Sequence, residues 1–277
     1  MKLRKPVALI TGASSGIGKA TAERLAAAGY TVFGTSRRGA TPERRAFELL
    51  PLDVTSDESV DAAVNSVLRS EGRIDLLVNN AGFSVAPAGA EESSIEQARA
   101  IFDTNFFGIV RMTRAVLPPM RRQGRGRIIN IGSVMGFLPA PYMALYAATK
   151  HALAGYSESL DHELRTRGIR VSVIEPAYTK THFDASLLEP DATIEEYRDA
   201  RTTVTRQMRA ALETADDPGV VADVVLKAAS AARPKLRYTA GGLANRLRLL
   251  RRFAPAGAVD AGIRRTLRLD IHRVQLS

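Results

Sequence analysis

The chain alternates short apolar runs with longer stretches of helical periodicity over most of its length. Continuous apolar runs are typical of strands buried on both faces, whereas apolar residues three and four apart indicate helices with one buried face. The runs predict strands at residues 6–11, 30–35, 49–53, 74–79, 126–132, 169–175 and 235–239. The periodic stretches predict helices at residues 16–28, 57–70, 93–117, 143–166 and 218–231. This alternation favours an α/β fold, a doubly wound parallel sheet of about seven strands flanked by helices.

A glycine-rich turn joins the first predicted strand to the first predicted helix. Its sequence, Thr11-Gly-Ala-Ser-Ser-Gly-Ile-Gly18, has the spacing G-x3-G-x-G, which differs from the common G-x-G-x-x-G fingerprint. Glycines let the backbone approach a pyrophosphate closely, and the free N–H groups at a helix start attract its charge. We therefore expect a Rossmann-type dinucleotide site here. Its predicted contacts are Gly12, Ser14, Ser15, Gly16, Ile17 and Gly18.

Tyr146, Lys150 and Ser133 form a candidate acid site. Tyr146 and Lys150 are four residues apart on a predicted helix and so share one face, and Ser133 precedes Tyr146 by thirteen residues. An ammonium beside a phenol is expected to lower the tyrosine pKa from about 10 towards neutral pH, which would make Tyr146 a usable proton donor and acceptor. Taken alone, a tyrosine and a lysine at this spacing describe an exposed helix face equally well.

Two asparagine motifs complete the pattern. Asn79-Asn-Ala-Gly82 closes an apolar strand, and Asn105 lies in the middle of a later predicted helix. Each is typical of a turn or a cap when taken alone. Together with the glycine turn and the tyrosine motif, in this order, they resemble the classical short-chain dehydrogenase/reductase family over Val7 to Thr181. The resemblance implies an NAD(P)(H)-dependent oxidoreductase that acts on a carbonyl or a secondary alcohol.

The resemblance also implies a role for each matched residue. Tyr146 would be the general acid/base, Lys150 would hold the nicotinamide ribose and tune Tyr146, and Ser133 would hydrogen-bond the substrate oxygen. Asn105 would position a water for proton relay. Tyr142 is a nearby second tyrosine with no lysine four residues after it, so we interpret it as part of the pocket wall.

The end of the second predicted strand distinguishes the two nicotinamide cofactors. Gly34-Thr-Ser-Arg-Arg38 has no carboxylate that would hold a ribose 2′-hydroxyl, while Arg37 and Arg38 suit a 2′-phosphate. An exposed basic turn would have the same sequence, but after a glycine turn the pattern favours NADP(H) over NAD(H). The remaining cofactor contacts implied by the resemblance are Asp53, Val54, Asn79, Ala81, Gly82, Tyr146, Lys150, Pro176, Thr179 and Thr181. The chain has Pro176-Ala177 where the family often has Pro-Gly.

The segment from Ala177 to about Ala215 is the predicted substrate lid. Phe183 of this segment, with Val134 and Tyr142, is predicted to line an apolar pocket, although such residues also serve to pack a lid onto its domain. No cation is placed to hold a carboxylate, so we expect an apolar ketone or alcohol as substrate. The four histidines lack metal-ligand spacing, so we predict no metal site.

Composition is that of an ordinary globular chain, with 45% hydrophobic and 25% charged residues. The absence of cysteine fits a reducing compartment. No N-terminal apolar segment resembles a signal peptide, and no apolar run approaches the length of a membrane span. We therefore expect a cytoplasmic protein. The resemblance implies a homodimer or homotetramer through the helices at 93–117 and 143–166.

The positive charge is concentrated at the C-terminal end. Residues 233–277 carry eleven lysines and arginines and two acids, so this segment accounts for most of the net charge of +10 of the whole chain. Leucines and arginines there alternate as in basic amphipathic helices. We expect these helices to pack their apolar faces on the domain or a second subunit with arginine outward, with an anionic membrane surface as the alternative. Nucleic-acid binding is not expected, because no aromatic residues are interleaved with the arginines.

We divide the chain into a nicotinamide-dinucleotide-binding catalytic domain at 1–240, with the lid at about 177–215, and a basic extension at 241–277 packed on it. The predicted function is hydride transfer between NADP(H) and a carbonyl or secondary alcohol. The alternative is a non-catalytic NADP(H)-binding regulatory or membrane-peripheral protein with the same fold. The complete set of Ser133, Tyr146 and Lys150 favours the enzyme.

Overall fold

The computed structural model describes residues 4–39, 45–181 and 187–269. Seven strands form one parallel sheet in the order β3-β2-β1-β4-β5-β6-β7. The strands are β1 Val7–Ile10, β2 Thr31–Ser36, β3 Glu48–Pro51, β4 Leu76–Asn79, β5 Gly126–Ile131, β6 Ile169–Pro176 and β7 Arg237–Ala240. The predicted Rossmann-type α/β fold with seven strands in a single domain is confirmed.

Helices cover both faces of the sheet. In the part of the chain that the structure describes, they are α1 Gly16–Ala27, α2 Asp57–Glu71, α3 Ile95–Phe102, α4 Gly108–Gln123, α5 Ala144–Leu164, α6 Arg198–Glu213, α7 Pro218–Ser230, α8 Gly242–Phe253 and α9 Ala256–Thr266. None of the described helices is long and apolar enough to cross a membrane. Helix α7 begins at a capped end, since the Asp217 side chain accepts from the Gly219 N–H and Pro218 is the first helical residue.

Strand β1 explains why apolar runs predicted this fold. Alternate side chains of a strand point to opposite faces of a sheet. Val7 and Leu9 join the core on the side of α2, α4 and α5, while Ala8 and Ile10 join the core on the side of α1 and α7. All four are fully buried. A strand that is covered on both faces does not alternate apolar with polar residues, so its sequence is a continuous apolar run.

Two stretches of helix differ from the prediction. The stretch 93–117 was predicted as one helix. It is helical from Ile95 to Gln123, but a π-helical turn at Asp103–Phe107 separates α3, which ends at Phe102, from α4. Helix α6 was not predicted. Most of its residues are polar and Val204 is its one buried residue, so few apolar positions indicate this helix in the sequence.

The strand order fixes where a ligand can bind. Strands β2 and β4 flank β1, so the connections that follow β1 and β4 leave the sheet in opposite directions. In open α/β sheets, ligands bind beyond the carboxyl ends of the strands at this switch point. The glycine turn follows β1, the Asn79 motif ends β4, and Ser133 follows β5. The fold therefore brings the motifs to one edge of the sheet.

Candidate active site

The glycine turn forms a cradle between β1 and α1. Gly12 and Gly16 have positive φ angles of 66° and 54°, which L side chains rarely adopt. Ser15 is the N-cap of α1 but makes no side-chain cap, and the first turn of the helix contains no acid. Backbone N–H groups therefore remain available for an anion such as a pyrophosphate. Ile17 is half-buried against the core beneath the turn.

Asn80 holds the glycine turn in place. Its Nδ2 donates to the carbonyl oxygens of Thr11 and Gly12, both at 3.0 Å. The Thr11 hydroxyl accepts from the backbone N–H groups of Asn80 and Ala81 at 2.9 and 3.0 Å. These four hydrogen bonds lock the end of β4 to the turn after β1. Gly82 then follows, within reach of Asn105, where a β-carbon would stand 3.0 Å from Oδ1.

Asn79 points the other way. Its side chain is buried in the sheet, where Nδ2 donates to Asn130 Oδ1 at 2.8 Å. We predicted Asn79 as a cofactor contact and missed both Asn80 and Thr11. Side-chain alternation along the strand was the available signal, because only one of two adjacent asparagines can face the glycine turn.

Cationic side chains surround the end of β2. Arg37 and Arg38 are exposed directly after the strand, as predicted. Arg45 was not predicted. Its Nη1 donates to the carbonyl oxygen of Ser14 at 3.3 Å, and its guanidinium lies 5.6 Å from the Phe47 ring centroid. Arg45 thus contacts the glycine turn directly, while Arg37 and Arg38 follow strand β2, which is the neighbour of β1.

Asp53 follows β3 at the same edge. Its Oδ1 accepts from the Thr55 backbone at 2.9 Å and from the Thr55 hydroxyl at 2.7 Å. These hydrogen bonds lower the pKa of Asp53, and the charge of Arg37 lowers it further, so the carboxylate is ionised at neutral pH. Val54 is buried against Gly108 at the start of α4.

Ser133, Tyr146 and Lys150 come together as predicted. Ser133 follows β5 and caps a short 3-10 turn at 134–136, where its hydroxyl accepts from Met135 N at 3.1 Å. The Ser133 and Tyr146 hydroxyls share a hydrogen bond. Tyr146 is in the first turn of α5, and Lys150 is one turn further along. The ammonium of Lys150 lies 5.5 Å from the Tyr146 ring centroid and donates to the Ile131 carbonyl at 2.9 Å.

The expected pKa shift of Tyr146 is not found. Burial raises the pKa of Tyr146 to about 12, and the hydrogen bond with Ser133 offsets only part of this increase. Burial also lowers the pKa of Lys150 to about 8. We had expected the ammonium to lower the tyrosine pKa, but the removal of the phenol from water dominates the shift and raises it. At neutral pH, Tyr146 is therefore a neutral phenol, and Lys150 loses its proton more readily than an exposed lysine.

Asn105 lies within the π-helical turn between α3 and α4 and is buried. Its Oδ1 accepts from Phe83 N at 3.0 Å, and its Nδ2 donates to Phe83 O at 2.8 Å and to Thr149 Oγ1 at 3.4 Å. The side chain therefore ties the loop after β4 to helix α5, which carries Tyr146 and Lys150. Single π turns inside helices often occur at functional sites. The proposed water relay through Asn105 stays a prediction.

The loop before α5 carries Tyr142, which was predicted as part of the pocket wall. Tyr142 has a φ of 62°, which is strained for a bulky residue. Its carbonyl accepts from Ala88 N at 3.0 Å, and its ring packs edge-on against Tyr197, with centroids 6.1 Å apart. Val134 is half-buried beside Ser133. Phe183, the third predicted pocket residue, lies outside the described residues.

The end of β6 returns to the glycine turn. Pro176 is the last residue of the strand, and Thr179 is buried and bridges to Asp216. A β-carbon on Gly16 would stand 3.2 Å from the Thr181 methyl, so Thr181 lies against the turn. Over residues 4–39, 45–181 and 187–269, no cluster of three histidines or acids could hold a metal ion.

The lid is anchored through a buried carboxylate. Glu92 accepts from Gly89 N at 2.5 Å and from Ile194 N at 2.7 Å, and forms an ion pair with Arg201 of α6. The Glu92 side chain is fully buried. The sequence does not predict this pair, because the two residues are far apart in the chain and α6 was not predicted.

The fold and the site together define a nucleotide-binding, Rossmann-type α/β protein. A model of the short chain dehydrogenase family matches residues 6–192, and the chain belongs to this family of oxidoreductases. The resemblance inferred from the sequence is thereby confirmed.

Two relatives illustrate the range of the family. The chain is 40% identical over 200 residues to a 3-ketodihydrosphingosine reductase from Bacteroides thetaiotaomicron, covering 72% of this chain and 74% of that protein. It is 36% identical to retinol dehydrogenase 8 of Bos taurus over 91% of this chain and 86% of that protein.

Solved structures agree. A short-chain dehydrogenase from Streptomyces avermitilis superposes with a TM-score of 0.81 at 34% identity, over 97% of this chain and 98% of its own. A 3-ketoacyl-(acyl-carrier-protein) reductase from Brucella melitensis, complexed with NADH, has a TM-score of 0.72 at 29% identity, covering 86% and 97% of the two chains. A serine dehydrogenase complexed with NADP+ also scores 0.72, at 27% identity, over 86% and 95%. Structural neighbours therefore bind either nicotinamide cofactor.

Proposed function

We propose that this protein transfers a hydride between NADP(H) and a carbonyl or secondary alcohol, with Tyr146 as general acid/base. The contact between the Ser133 and Tyr146 hydroxyls carries this proposal, because it brings two side-chain O–H groups together at the nucleotide-binding edge of the sheet, where a substrate oxygen could accept from both. Lys150 stands behind the phenol at 5.5 Å from its ring.

Each side chain has a defined task in carbonyl reduction. The bound nicotinamide supplies the hydride. With a pKa of about 12, Tyr146 is a neutral phenol at pH 7 and can give its proton to the substrate oxygen as negative charge develops there. Ser133 donates a second hydrogen bond to the same oxygen and stabilises that charge. In alcohol oxidation the proton moves from the substrate hydroxyl back to Tyr146.

Lys150 supports the proton transfer electrostatically. Its pKa of about 8 leaves it mostly protonated at pH 7, so it opposes the burial that disfavours a Tyr146 phenolate. Its Nζ donates to the Ile131 carbonyl at 2.9 Å, which fixes the side chain beside β5. A second N–H of the ammonium is available for a ribose hydroxyl.

Three arginines support NADP(H) as the cofactor. Arg37 and Arg38 follow β2, and Arg45 reaches the Ser14 carbonyl of the glycine turn. Residues 34–38 contain no acid to bind a ribose 2′-hydroxyl or to repel a 2′-phosphate. Charge-assisted contacts from guanidinium groups suit a phosphate dianion.

The substrate that fits best is an apolar ketone or alcohol. Tyr142 and Tyr197 form an aromatic wall, and Val134 lies half-buried next to Ser133. The two relatives named above support the reaction class, since one is named as a reductase of a 3-keto compound and the other as a dehydrogenase of retinol.

We also propose that the protein forms a homodimer or homotetramer. Ile95 and Phe107, on α3 and the following π-helical turn, are large apolar residues at 63% and 50% exposure. They belong to the helical region that the family resemblance implies as a subunit contact. Sedimentation velocity of the full chain tests this directly, and a monomer at all concentrations would exclude it.

Cofactor titration tests the NADP(H) assignment. Nicotinamide fluorescence would be followed during titration with NADPH and with NADH, for wild type, Arg37→Asp and Arg45→Asp. Arg69→Asp, at the exposed end of α2, is the matched control. We expect tight NADPH binding that both site variants weaken at least tenfold and the control leaves unchanged, because each removes a phosphate contact and adds a repelling charge. Equal affinity of wild type for both nucleotides would contradict the preference, and binding of neither would favour the non-catalytic alternative.

A further inference from the structure

Helix α8 presents an apolar face to solvent. Leu243, Leu249, Leu250 and Phe253 are 44%, 58%, 46% and 72% exposed, and they account for half of the exposed large hydrophobic residues of the described chain. Scattered exposed leucines are ordinary, but four on one twelve-residue helix form a contiguous patch. We call these four side chains the α8 patch.

Two arginines of α8 bind the domain, whereas three of its four leucines are exposed. Arg248 forms an ion pair of 2.9 Å with Glu175, which is buried at the end of β6. Arg251 Nε donates to the Phe137 carbonyl at 3.1 Å. Among the described residues of α8, only Ala244 is buried. We had expected the leucines to pack on the domain with the arginines outward, and for much of this helix the structure shows the reverse.

The charge around the α8 patch selects its partner. Residues 241–269 carry seven arginines and one acid, Asp260. A two-fold contact with a second copy of this chain would set the same patch against itself and bring like charges together. An anionic lipid surface offers the opposite charge and a boundary for apolar side chains, as basic amphipathic helices require. We propose that α8 docks this protein on anionic membranes by inserting the α8 patch into the lipid boundary.

The docking helix is attached to the candidate active site. The Arg248 guanidinium lies 5.1 Å from the Phe137 ring centroid, and Phe137 immediately follows the 3-10 turn that Ser133 caps. A membrane bound at α8 would therefore lie on the side of the Ser133 turn. If the proposed carbonyl reductase activity holds, this arrangement suits a substrate that partitions into the bilayer, and this last step alone rests on the proposed function.

Vesicle cosedimentation tests the docking without any turnover. The full-length protein would be centrifuged with sucrose-loaded vesicles of phosphatidylcholine, either pure or mixed with phosphatidylglycerol, at low and high salt. We expect binding to the mixed vesicles that high salt weakens and only residual binding to pure phosphatidylcholine. Equal binding to both vesicles, or binding to neither, would overturn the proposal.

Two double variants separate the apolar and the charged contributions. Leu249→Ser with Phe253→Ser removes the most exposed apolar groups, and Leu188→Ser, at 46% exposure and outside both α8 and the proposed subunit contact, is its control. Arg246→Gln with Arg252→Gln removes two exposed charges, and Arg121→Gln with Arg122→Gln on α4 is its control. The arginine variant should lower the vesicle partition coefficient by about 30-fold, which corresponds to about 1 kcal/mol for each of the two basic residues removed. The apolar variant should lower it by at least about tenfold, because two large apolar side chains no longer enter the lipid boundary. The controls should bind like wild type.

Folding and self-association are measured on the same samples. All variants should keep the far-ultraviolet circular dichroism and NADPH affinity of wild type, because none of these residues lies at the nucleotide site. Sedimentation velocity without lipid should be unchanged by the α8 variants. If those variants instead dissociate an oligomer, the α8 patch is a subunit contact and the proposal is wrong. If wild type does not bind NADPH, the proposed function is contradicted. The vesicle experiment still tests the docking proposal in that case, because it does not depend on turnover or cofactor.

Discussion

Gly18 packs so closely against Gly12 that a β-carbon on Gly18 would stand 2.2 Å from the Gly12 carbonyl oxygen and 2.5 Å from the Asn80 amide nitrogen. No flexible side-chain end can yield there, because the nearer atom belongs to the backbone. Helix α1 can approach the turn this closely only if position 18 is glycine. A β-carbon at Gly18 would also occupy the space of the Asn80 amide, which holds the turn through its hydrogen bonds.

Gly18→Ala should disrupt the nucleotide cradle. We expect a free energy of unfolding lower by about 1–3 kcal/mol, as for other overpacked sites, and NADPH affinity reduced at least tenfold. Gly262→Ala is the matched control, since a β-carbon there has open space within α9 and alanine is favoured in helices by about 0.5–1 kcal/mol. Chemical denaturation and cofactor fluorescence report both effects. Unchanged NADPH affinity in Gly18→Ala would show that the cradle does not bind the nucleotide.

Tyr146→Phe should abolish most turnover while leaving cofactor binding intact. The ring and its packing remain, but the proton that the phenol would deliver is lost, which corresponds to a rate decrease of about 100-fold or more. Tyr142→Phe removes the other nearby hydroxyl, four residues earlier, and should retain kcat within a few-fold. Steady-state rates with NADPH and a panel of apolar ketones measure this. A Tyr146→Phe rate close to wild type would refute the general-acid assignment.

Much of this site was readable from the sequence, because backbone-level requirements leave residue types at fixed spacings. A turn that approaches a phosphate needs glycines, and a helix that pairs Tyr146 with Lys150 needs them four apart. These constraints are local, so the sequence predicted which edge of the sheet carries Gly12, Ser133 and Tyr146.

Contacts between distant segments could not be read in the same way. Arg45 reaches Ser14, and Glu92 pairs with Arg201, but nothing in either local sequence specifies the partner. The pKa of Tyr146 was also mispredicted, because desolvation depends on how the whole cleft encloses the phenol. The predicted orientation of α8 was wrong for a related reason. Helical periodicity shows that one face of a helix is apolar, but it does not show what that face contacts.

Lys150 should make stability depend on pH in a definite direction. Its pKa falls from 10.5 to about 8 on folding, so the unfolded chain binds more protons between these values. The destabilisation from burying the charged form is therefore full below about pH 8 and is relieved as the pH rises. Between about pH 7.5 and pH 9.5, wild type should gain about 2 kcal/mol relative to Lys150→Met. Urea unfolding of both proteins at the two pH values measures the difference. If the difference in free energy of unfolding between the two proteins is the same at both pH values, Lys150 has an ordinary pKa in the folded protein.

The ion pair between Arg201 and Glu92 should control the lid. Arg201→Met leaves a fully buried carboxylate with backbone donors from Gly89 and Ile194 but without its cation, which is expected to destabilise the lid by about 3 kcal/mol. Hydrogen exchange should then accelerate in α6, and KM should rise while NADPH affinity is kept. Arg198→Met breaks an exposed pair between the first residue of α6 and Glu195, which lies just before the helix, and should change exchange very little, because surface pairs contribute about 0–1 kcal/mol. If both variants leave α6 equally protected, the lid is held by its apolar contacts and the buried pair has no anchoring role.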